Sequence, residues 1–326
     1  MRKNRKIWLL VAVSFVVIGG VILGGIMNIF HWDFTKLSTV KYQTNNYNFN
    51  ESFENISVTT NTADVVFLPS DDTNTSITCY EQENMMHTVT VKDGTLNIEV
   101  TDTRKWFEFI GFSIAAPKIT ISIPQGKYGG LNIRSSTGDV QVPNNFSFAT
   151  IDMQGSTGNV INHASASDSI QITRSTGDIQ IENITASSLD LKVSTGKITV
   201  ANTKISDHIN LRVSTGKSIL TDVQCKKLTT TGDTGDITLT NVIANGNFTI
   251  RRTTGNVTFN RCDAAEISVA TDTGKVSGSL LTDKVFITES DTGRINVPKT
   301  TSGGKCEITT DTGDIRITIE QENPPA

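Results

Sequence analysis

Ile170-Gln171-Ile172-Thr173-Arg174-Ser175-Thr176-Gly177-Asp178-Ile179-Gln180-Ile181 alternates apolar and polar residues on both sides of a Thr-Gly pair. Alternation with a period of two is the mark of a half-buried strand, so this stretch reads as two short strands meeting at a corner. Glycine suits the corner because it reaches backbone conformations that a Cβ resists. Serine before the pair and aspartate after it keep the corner polar.

The same signature recurs ten times, with glycines at Gly138, Gly158, Gly177, Gly196, Gly216, Gly235, Gly255, Gly274, Gly293 and Gly313, every step being 19 or 20 residues. A period this regular predicts a solenoid in which each repeat is one coil stacked on the last. Aligning the repeats gives an apolar column seven residues before the glycine, from Leu131, Ile151 and Ile170 to Phe286 and Cys306. A second lies two residues after it, from Val140 and Val160 to Ile295 and Ile315, broken only by Ser218. A weaker third column, seven after the glycine, includes Ile184, Val223, Val242, Cys262 and Leu281. Each buried aliphatic side chain contributes about 1.5–3 kcal/mol, so the columns make a continuous core. The expected fold is all-β, a right-handed parallel β-helix (β-solenoid); strands that return in one direction are parallel and their crossovers right-handed.

Two repeats depart from the pattern. Ile219 follows Ser218 and suggests a one-residue slip, while Val285 and Ile287 suit the interior better than Thr288, which suggests a bulge before Gly293. At the C-terminal end the alternation stops near Ile319, and the charged, proline-containing tail discourages a further strand. Residues 55–133 read as irregular strands, with a hairpin turn at Lys92-Asp93-Gly94. Within them Arg104-Lys105-Trp106-Phe107-Glu108-Phe109-Ile110-Gly111-Phe112 is dense in aromatics. It reads either as an apolar flap closing the mouth of the solenoid or as a contact surface. In the second case Trp106, Phe107, Phe109 and Phe112 touch lipid or a partner, and Arg104 and Lys105 face anionic headgroups.

Ile7 to Phe30 carries no charged side chain over 24 residues, enough helix for a hydrocarbon core of about 30 Å. Arg2, Lys3, Arg5 and Lys6 precede it, which predicts a cytoplasmic N-terminus and an exported body. A cleaved signal peptide is the alternative, but the run is long for one and no small-residue cleavage site follows. The chain thus divides into a cytoplasmic tail (1–6), a transmembrane anchor (7–30) and a polar stalk (31–54). A β-solenoid (55–320) follows, with irregular coils over 55–133 and regular repeats over 131–320, and then a polar tail (321–326).

Without the four N-terminal cations the chain holds 25 basic against 33 acidic residues, a net −8. That leaves no electrostatic footprint for nucleic acid. Cys79, Cys225, Cys262 and Cys306 are scattered and form no C-x-x-C pair; Cys262 and Cys306 fall in the interior columns and read as small buried hydrophobes more than as a disulfide. The histidines His31, His87, His163 and His208 show no metal-ligand spacing in the sequence and read as surface or incidental groups, and no cofactor motif is present. Asp233, Asp272, Asp291 and Asp311 align in one column, and Asp236, Lys275, Arg294 and Asp314 in another. The mixture of signs reads as a solvated face with charges balanced between coils, more than as a carboxylate site for polysaccharide cleavage.

With these elements in place, the chain resembles the bacterial β-strand-repeat "putative adhesin" family, similar to the LiaG-like membrane proteins of Gram-positive bacteria. The residues that carry the likeness are Ile119 to Pro124, Leu131 to Val140 and the later Thr-Gly turns, and it covers roughly residues 50–320. The resemblance implies a right-handed β-solenoid outside the cytoplasmic membrane and transfers no catalytic residues. The expectation is a non-enzymatic, membrane-anchored surface-interaction or envelope-stress module, without cofactor, metal or nucleic acid. Its partners would be the membrane and another envelope protein or a cell-wall component. The alternatives are a polysaccharide-active enzyme using the outward aspartates and a self-associating scaffold.

Overall fold

The computed structural model describes residues 2–29, 31–32, 41–70, 73–104 and 116–320. An N-terminal helix, Arg2–Ile29, is followed by an all-β body whose strands join one continuous sheet. Residues 7–29 of that helix are long and apolar enough to cross a membrane, with a mean hydropathy of 2.7. From residue 126 onward the strands pair in parallel, the arrangement of a β-solenoid.

One coil contains three strand segments. In the third regular coil Ser165–Thr176 leads to the Thr-Gly corner, Ile179–Glu182 follows it, and Thr185 opens the next segment. A second corner lies six residues after the glycine, where Asn183, Asn202, Asp222, Asn241 and Arg261 adopt left-handed backbone with φ between 49° and 58°. Asn and Asp tolerate that conformation better than most residues, which explains their frequency there. The predicted columns line up in the hydrogen-bonded register: Ile151, Ile170, Leu189 and Ile209 on one face, Val160, Ile179, Ile198, Ser218 and Ile237 on the next. All of these residues are buried, and the apolar ones form a single hydrophobic cluster.

The Thr-Gly corner is fixed by close approach as well as by backbone conformation. Each corner glycine from Gly138 to Gly313, Gly293 of the outermost coil excepted, donates its N–H to the threonine carbonyl of an adjacent coil, as from Gly216 to Thr234 at 2.8 Å. Gly216 has φ 139°, and a Cβ built on it would lie 1.8 Å from the carbonyl oxygen of Gly196 in the neighbouring coil. The stacked glycines therefore touch backbone to backbone, and no side chain fits between them.

Both ends depart from sequential stacking. Asn55–Thr60 pairs in parallel with Thr95–Asp102 on one side and Gly126–Thr137 on the other. The coil formed by residues 55–70 therefore lies between two later ones. At the other end Cys306 pairs with both Ile267 and Phe286, so the C-terminal coil lies between the coil of Gly274 and that of Gly293. Gly303 and Gly304 permit this insertion. A Cβ on Gly303 would lie 1.8 Å from the Asp283 carbonyl oxygen of the outer coil, and one on Gly304 would lie 1.8 Å from that of Ala265 in the inner coil. Residues 284–296 are left as the outermost coil.

Several expectations are corrected. No slip occurs at Ser218: it pairs in register with Ile198 and Ile237 and is wholly buried. The hydroxyl serves a buried cation, since Arg252 Nη2 donates to Ser218 Oγ at 3.1 Å and Nη1 to the Val213 carbonyl at 2.7 Å. No bulge precedes Gly293 either; Phe286 and Thr288 pair straight with Cys306 and Ile308. Val285, Ile287 and Ile295 are exposed (37, 51 and 45 %) in the outermost coil, so Ile295 does not join its column in the core. Leu280, not Leu281, fills the third column opposite Cys262. The segment expected as a stalk contains a strand, Tyr42–Phe49, antiparallel to Thr75–Gln82. The irregular N-terminal section is a cap in which antiparallel hairpin strands cover the first parallel coils.

Arg174 repeats the device of Arg252. Its Nη1 donates to Ser135 Oγ at 2.7 Å, two coils away, and passes over Gly155, where a Cβ would lie 1.5 Å from that nitrogen. Gly232 makes the same room for Arg252. Burial pushes both guanidinium pKa values down. Asp139 opposes the shift at Arg174, and Asp233 and Asp236 oppose it at Arg252.

Two outcomes follow for stability. Gly216→Ala should lower the melting temperature sharply, since backbone strain of about 1–3 kcal/mol adds to the clash with the neighbouring coil. Gly94→Ala, at a hairpin turn with φ 70° and open space around it, should cost only about 1–2 kcal/mol. Ser218→Val, although it restores the aliphatic column, should destabilise by about 1–3 kcal/mol by leaving Arg252 Nη2 without its acceptor. Adding Arg252→Met should recover part of that loss, and additive thermal shifts in this double-mutant cycle would contradict the pairing.

Candidate functional site

Alternation that sends aliphatic side chains inward sends polar ones outward in the same register. On the face preceding the Thr-Gly corner, Gln171, Thr173, Asp190, Lys192, Asn210, Arg212, Thr229 and Thr231 line a groove of about 400 Å³ across four coils. Asn210 Nδ2 donates to Asp190 Oδ1 at 2.8 Å, while Lys192 and Arg212 have no ion-pair partner among the described residues. A second groove of about 570 Å³ runs along the face beyond the left-handed corner and presents Lys204, Lys226, Gln224 and Asn245. These cations stand out on a body whose overall balance is acidic. His208 lies beside the first groove, its Nδ1 2.9 Å from Asp207 Oδ2 and its Nε2 3.4 Å from Asp190 Oδ2. The Asp207 hydrogen bond, followed by Asp190, raises its pKa.

The acidic corners have a structural occupation. Asp139 Oδ1 accepts the backbone N–H of Asn159 at 2.7 Å, Asn159 Oδ1 that of Asp178 at 2.9 Å, and Asp178 Oδ1 that of Lys197 at 2.8 Å. The ladder resumes from Asp236 to Asn256 and Lys275, and from Asp314 to Arg294. At two rungs where lysine replaces the acceptor, its ammonium turns to a neighbouring rung: Lys197 to Asp178 and Lys217 to Asp236, both at 3.6 Å. Of the second predicted column, Asp236 and Asp314 are therefore spent on the backbone of the next coil. Asp233, Asp272, Asp291 and Asp311 are exposed at the corner.

The predicted contact residues Trp106, Phe107, Phe109 and Phe112 fall outside the described residues. Arg104, which borders them, is bonded to Asp102 through Nη2 at 2.5 Å.

The N-terminal cap holds a polar cluster that the sequence reading misses. Ile77, Cys79 and Glu81 point inward along one strand, and Met85, His87 and Val89 along the next, beyond the turn at Glu83 and Asn84. His87 Nδ1 lies 2.6 Å from Glu81 Oε2 and Nε2 lies 3.0 Å from Thr60 Oγ1. Glu81 Oε2 also accepts the His87 backbone N–H at 2.7 Å, and Oε1 accepts Asn45 Nδ2 at 2.7 Å. Tyr47 donates its hydroxyl to the His87 carbonyl at 2.8 Å. Cys79, Glu81 and His87 bring one donor atom each to within 4.8 Å of one another, and all three are buried. Burial, with Glu81 nearby, pushes the Cys79 thiol up to about 12. The histidine is thus not an incidental surface group, and period-two alternation about the 83–84 turn was the signal that could have shown it.

Among crystal structures the chain has distant likenesses. The chain is 16 % identical to a "putative lipid binding protein" from Parabacteroides distasonis, covering 86 % of this chain and 98 % of that one at a TM-score of 0.46. It is 13 % identical to a "putative adhesin" from Parabacteroides merdae, with coverages of 86 and 98 % and a TM-score of 0.46. A "putative adhesin" from Bacteroides fragilis is 19 % identical, with coverages of 85 and 97 % and a TM-score of 0.39. No relative among functionally curated proteins matches. The family model of Toastrack DUF4097 matches residues 53–217 and again 206–325, so the two matches together span nearly all of the β body. The chain belongs to the Toastrack DUF4097 family.

Proposed function

We propose that the protein is a non-enzymatic, membrane-anchored surface module whose outward faces bind an anionic component of the cell envelope, either a cell-wall polymer or an acidic envelope protein. The observation that carries this reading is the pair of cation-bearing grooves: Lys192 and Arg212 in one, Lys204 and Lys226 in the other, without ion-pair partners among the described residues. Held on a rigid stack of strands, such side chains need little reorganisation to meet a repeating anion. The apolar helix over residues 7–29 would be the anchor, with the basic residues before it on the cytoplasmic side and the body outside. The aromatic residues Trp106, Phe107, Phe109 and Phe112 would add a contact with lipid or a partner near that anchor.

A polysaccharide-active enzyme has less support, because corner carboxylates such as Asp236 and Asp314 already accept backbone N–H groups. Alanine at both Asp272 and Asp291 should leave any effect on envelope material unchanged.

Full-length protein in detergent should retain isolated envelope fragments at low salt and release them at high salt, since exposed charge contacts are screened. Lys192→Ala with Arg212→Ala should weaken retention about fivefold or more without altering the melting temperature. Retention indifferent to both salt and these substitutions would reject the cationic grooves as the contact. Trp106→Ala with Phe109→Ala should weaken association of the body with lipid vesicles; a fall in melting temperature with vesicle association intact would assign that segment to capping.

A further inference from the structure

The buried cluster in the N-terminal cap has a composition that its surroundings do not require. The hydrophobic cluster around it is otherwise built from side chains such as Ile56, Val58, Ile77, Leu96, Ile98 and Ile119. A carboxylate, an imidazole and a thiol placed together in such a setting carry a large desolvation cost unless something offsets it. The Glu81–His87 hydrogen bond offsets part of it and makes no use of Cys79.

We propose that Cys79, Glu81 and His87 form a structural binding site for a divalent cation of the zinc class. Thiolate, imidazole and carboxylate are together the donor set that such an ion prefers. The charge also balances: one thiolate and one carboxylate neutralise a divalent ion, so the occupied site adds no net charge to an apolar interior. Two protons leave when the ion enters, one from the Cys79 sulfur and one from between His87 Nδ1 and Glu81 Oε2. The ion takes the place of that second proton. A tetrahedral ion with ligands at about 2.0–2.3 Å keeps its ligand atoms roughly 3.3–3.7 Å apart. The 2.6 Å His–Glu contact therefore opens by about 1 Å, within the reach of side-chain rotation.

The outer contacts are already in position. Thr60 Oγ1 lies 3.0 Å from His87 Nε2 and fixes the ring so that Nδ1 faces Glu81. Asn45 holds Glu81 Oε1 and leaves Oε2 turned toward the imidazole. Partners of this kind orient metal ligands and raise their basicity. The three side chains leave one tetrahedral position to a water enclosed with them, and with all three ligands buried the ion would act as a clasp within the hairpin of residues 75–92, which His87 ties to the coil at Thr60.

The test uses the full-length chain in detergent, loaded with Co²⁺ in two ways: during expression, and during refolding from denaturant, because the site is closed once folded. One equivalent of Co²⁺ should bind by either route, with a thiolate-to-cobalt charge-transfer band that Zn²⁺ abolishes and a rise in melting temperature. Cys79→Ser, close in shape, should remove the band and reduce affinity at least tenfold, whereas Cys225→Ser should change neither. His87→Gln should remove the melting-temperature response to Co²⁺ even if it lowers the starting value. Absence of the band after both loading routes, or a band that survives Cys79→Ser, would overturn the site.

Discussion

The architecture depends on the contact between stacked glycines at the Thr-Gly corner. Adjacent strands in a sheet lie about 4.8 Å apart, and at a sharp corner that spacing leaves no volume for a Cβ. The glycine column meets the constraint in every regular coil, with would-be Cβ atoms 1.8–2.3 Å from the carbonyl oxygen below. Once the corners are stacked, the segments on either side come into register and their inward side chains pile up as ladders. The Asp and Asn residues that follow the glycine then close the corner by accepting the next coil's N–H. Backbone geometry comes first here, and the hydrophobic core is organised by it.

Where the interior is polar, the polarity is arranged in complementary sets. Arg174 and Arg252 occupy equivalent positions three residues before their glycines, and each lies over a glycine of the preceding coil, Gly155 or Gly232. Their charge is offset from a distance by corner carboxylates, Asp139 for one, Asp233 and Asp236 for the other. The acidic corner therefore has two tasks, bonding the next coil's backbone and balancing a buried cation. The flat faces differ: the groove before this corner and the one beyond the left-handed corner display lysine and arginine.

Much of the repeat body was legible in the sequence because its physics is periodic. The spacing of the glycines located the corners, and alternation such as Ile170, Ile172 and Ile179, Ile181 located the inward faces. The misreadings share a cause, since each assumed that a coil is judged by its own sequence. Ser218 is buried because a residue 34 positions later needs its oxygen, and Val285 is exposed because its coil is the outermost. Neither fact is local. The grooves were less legible, because outward columns of Thr, Asn and Lys look alike whether or not they line a concavity. In the cap the irregular strands and the Lys92-Asp93-Gly94 turn were legible, but antiparallel hairpins break the repeat, so no column pointed to Cys79, Glu81 and His87. The Gly303-Gly304 doublet was the visible trace of the C-terminal insertion, but glycine in a loop has many causes.

That insertion sets the order in which the body can be completed. Most pairing joins residues about 20 positions apart, so coils can zip up from the N-terminal end as the chain appears. The coil at residues 284–296 emerges before its neighbour at 304–319 exists, yet the finished stack places the later coil inside the earlier one. Residues 257–262 pair with the strand that directly follows them, whereas residues 267–273 find their partner only in residues 306–312. The outermost coil therefore takes its final pairing only once residues 304–319 are in place, and the last coil in sequence acts as the latch for the one before it.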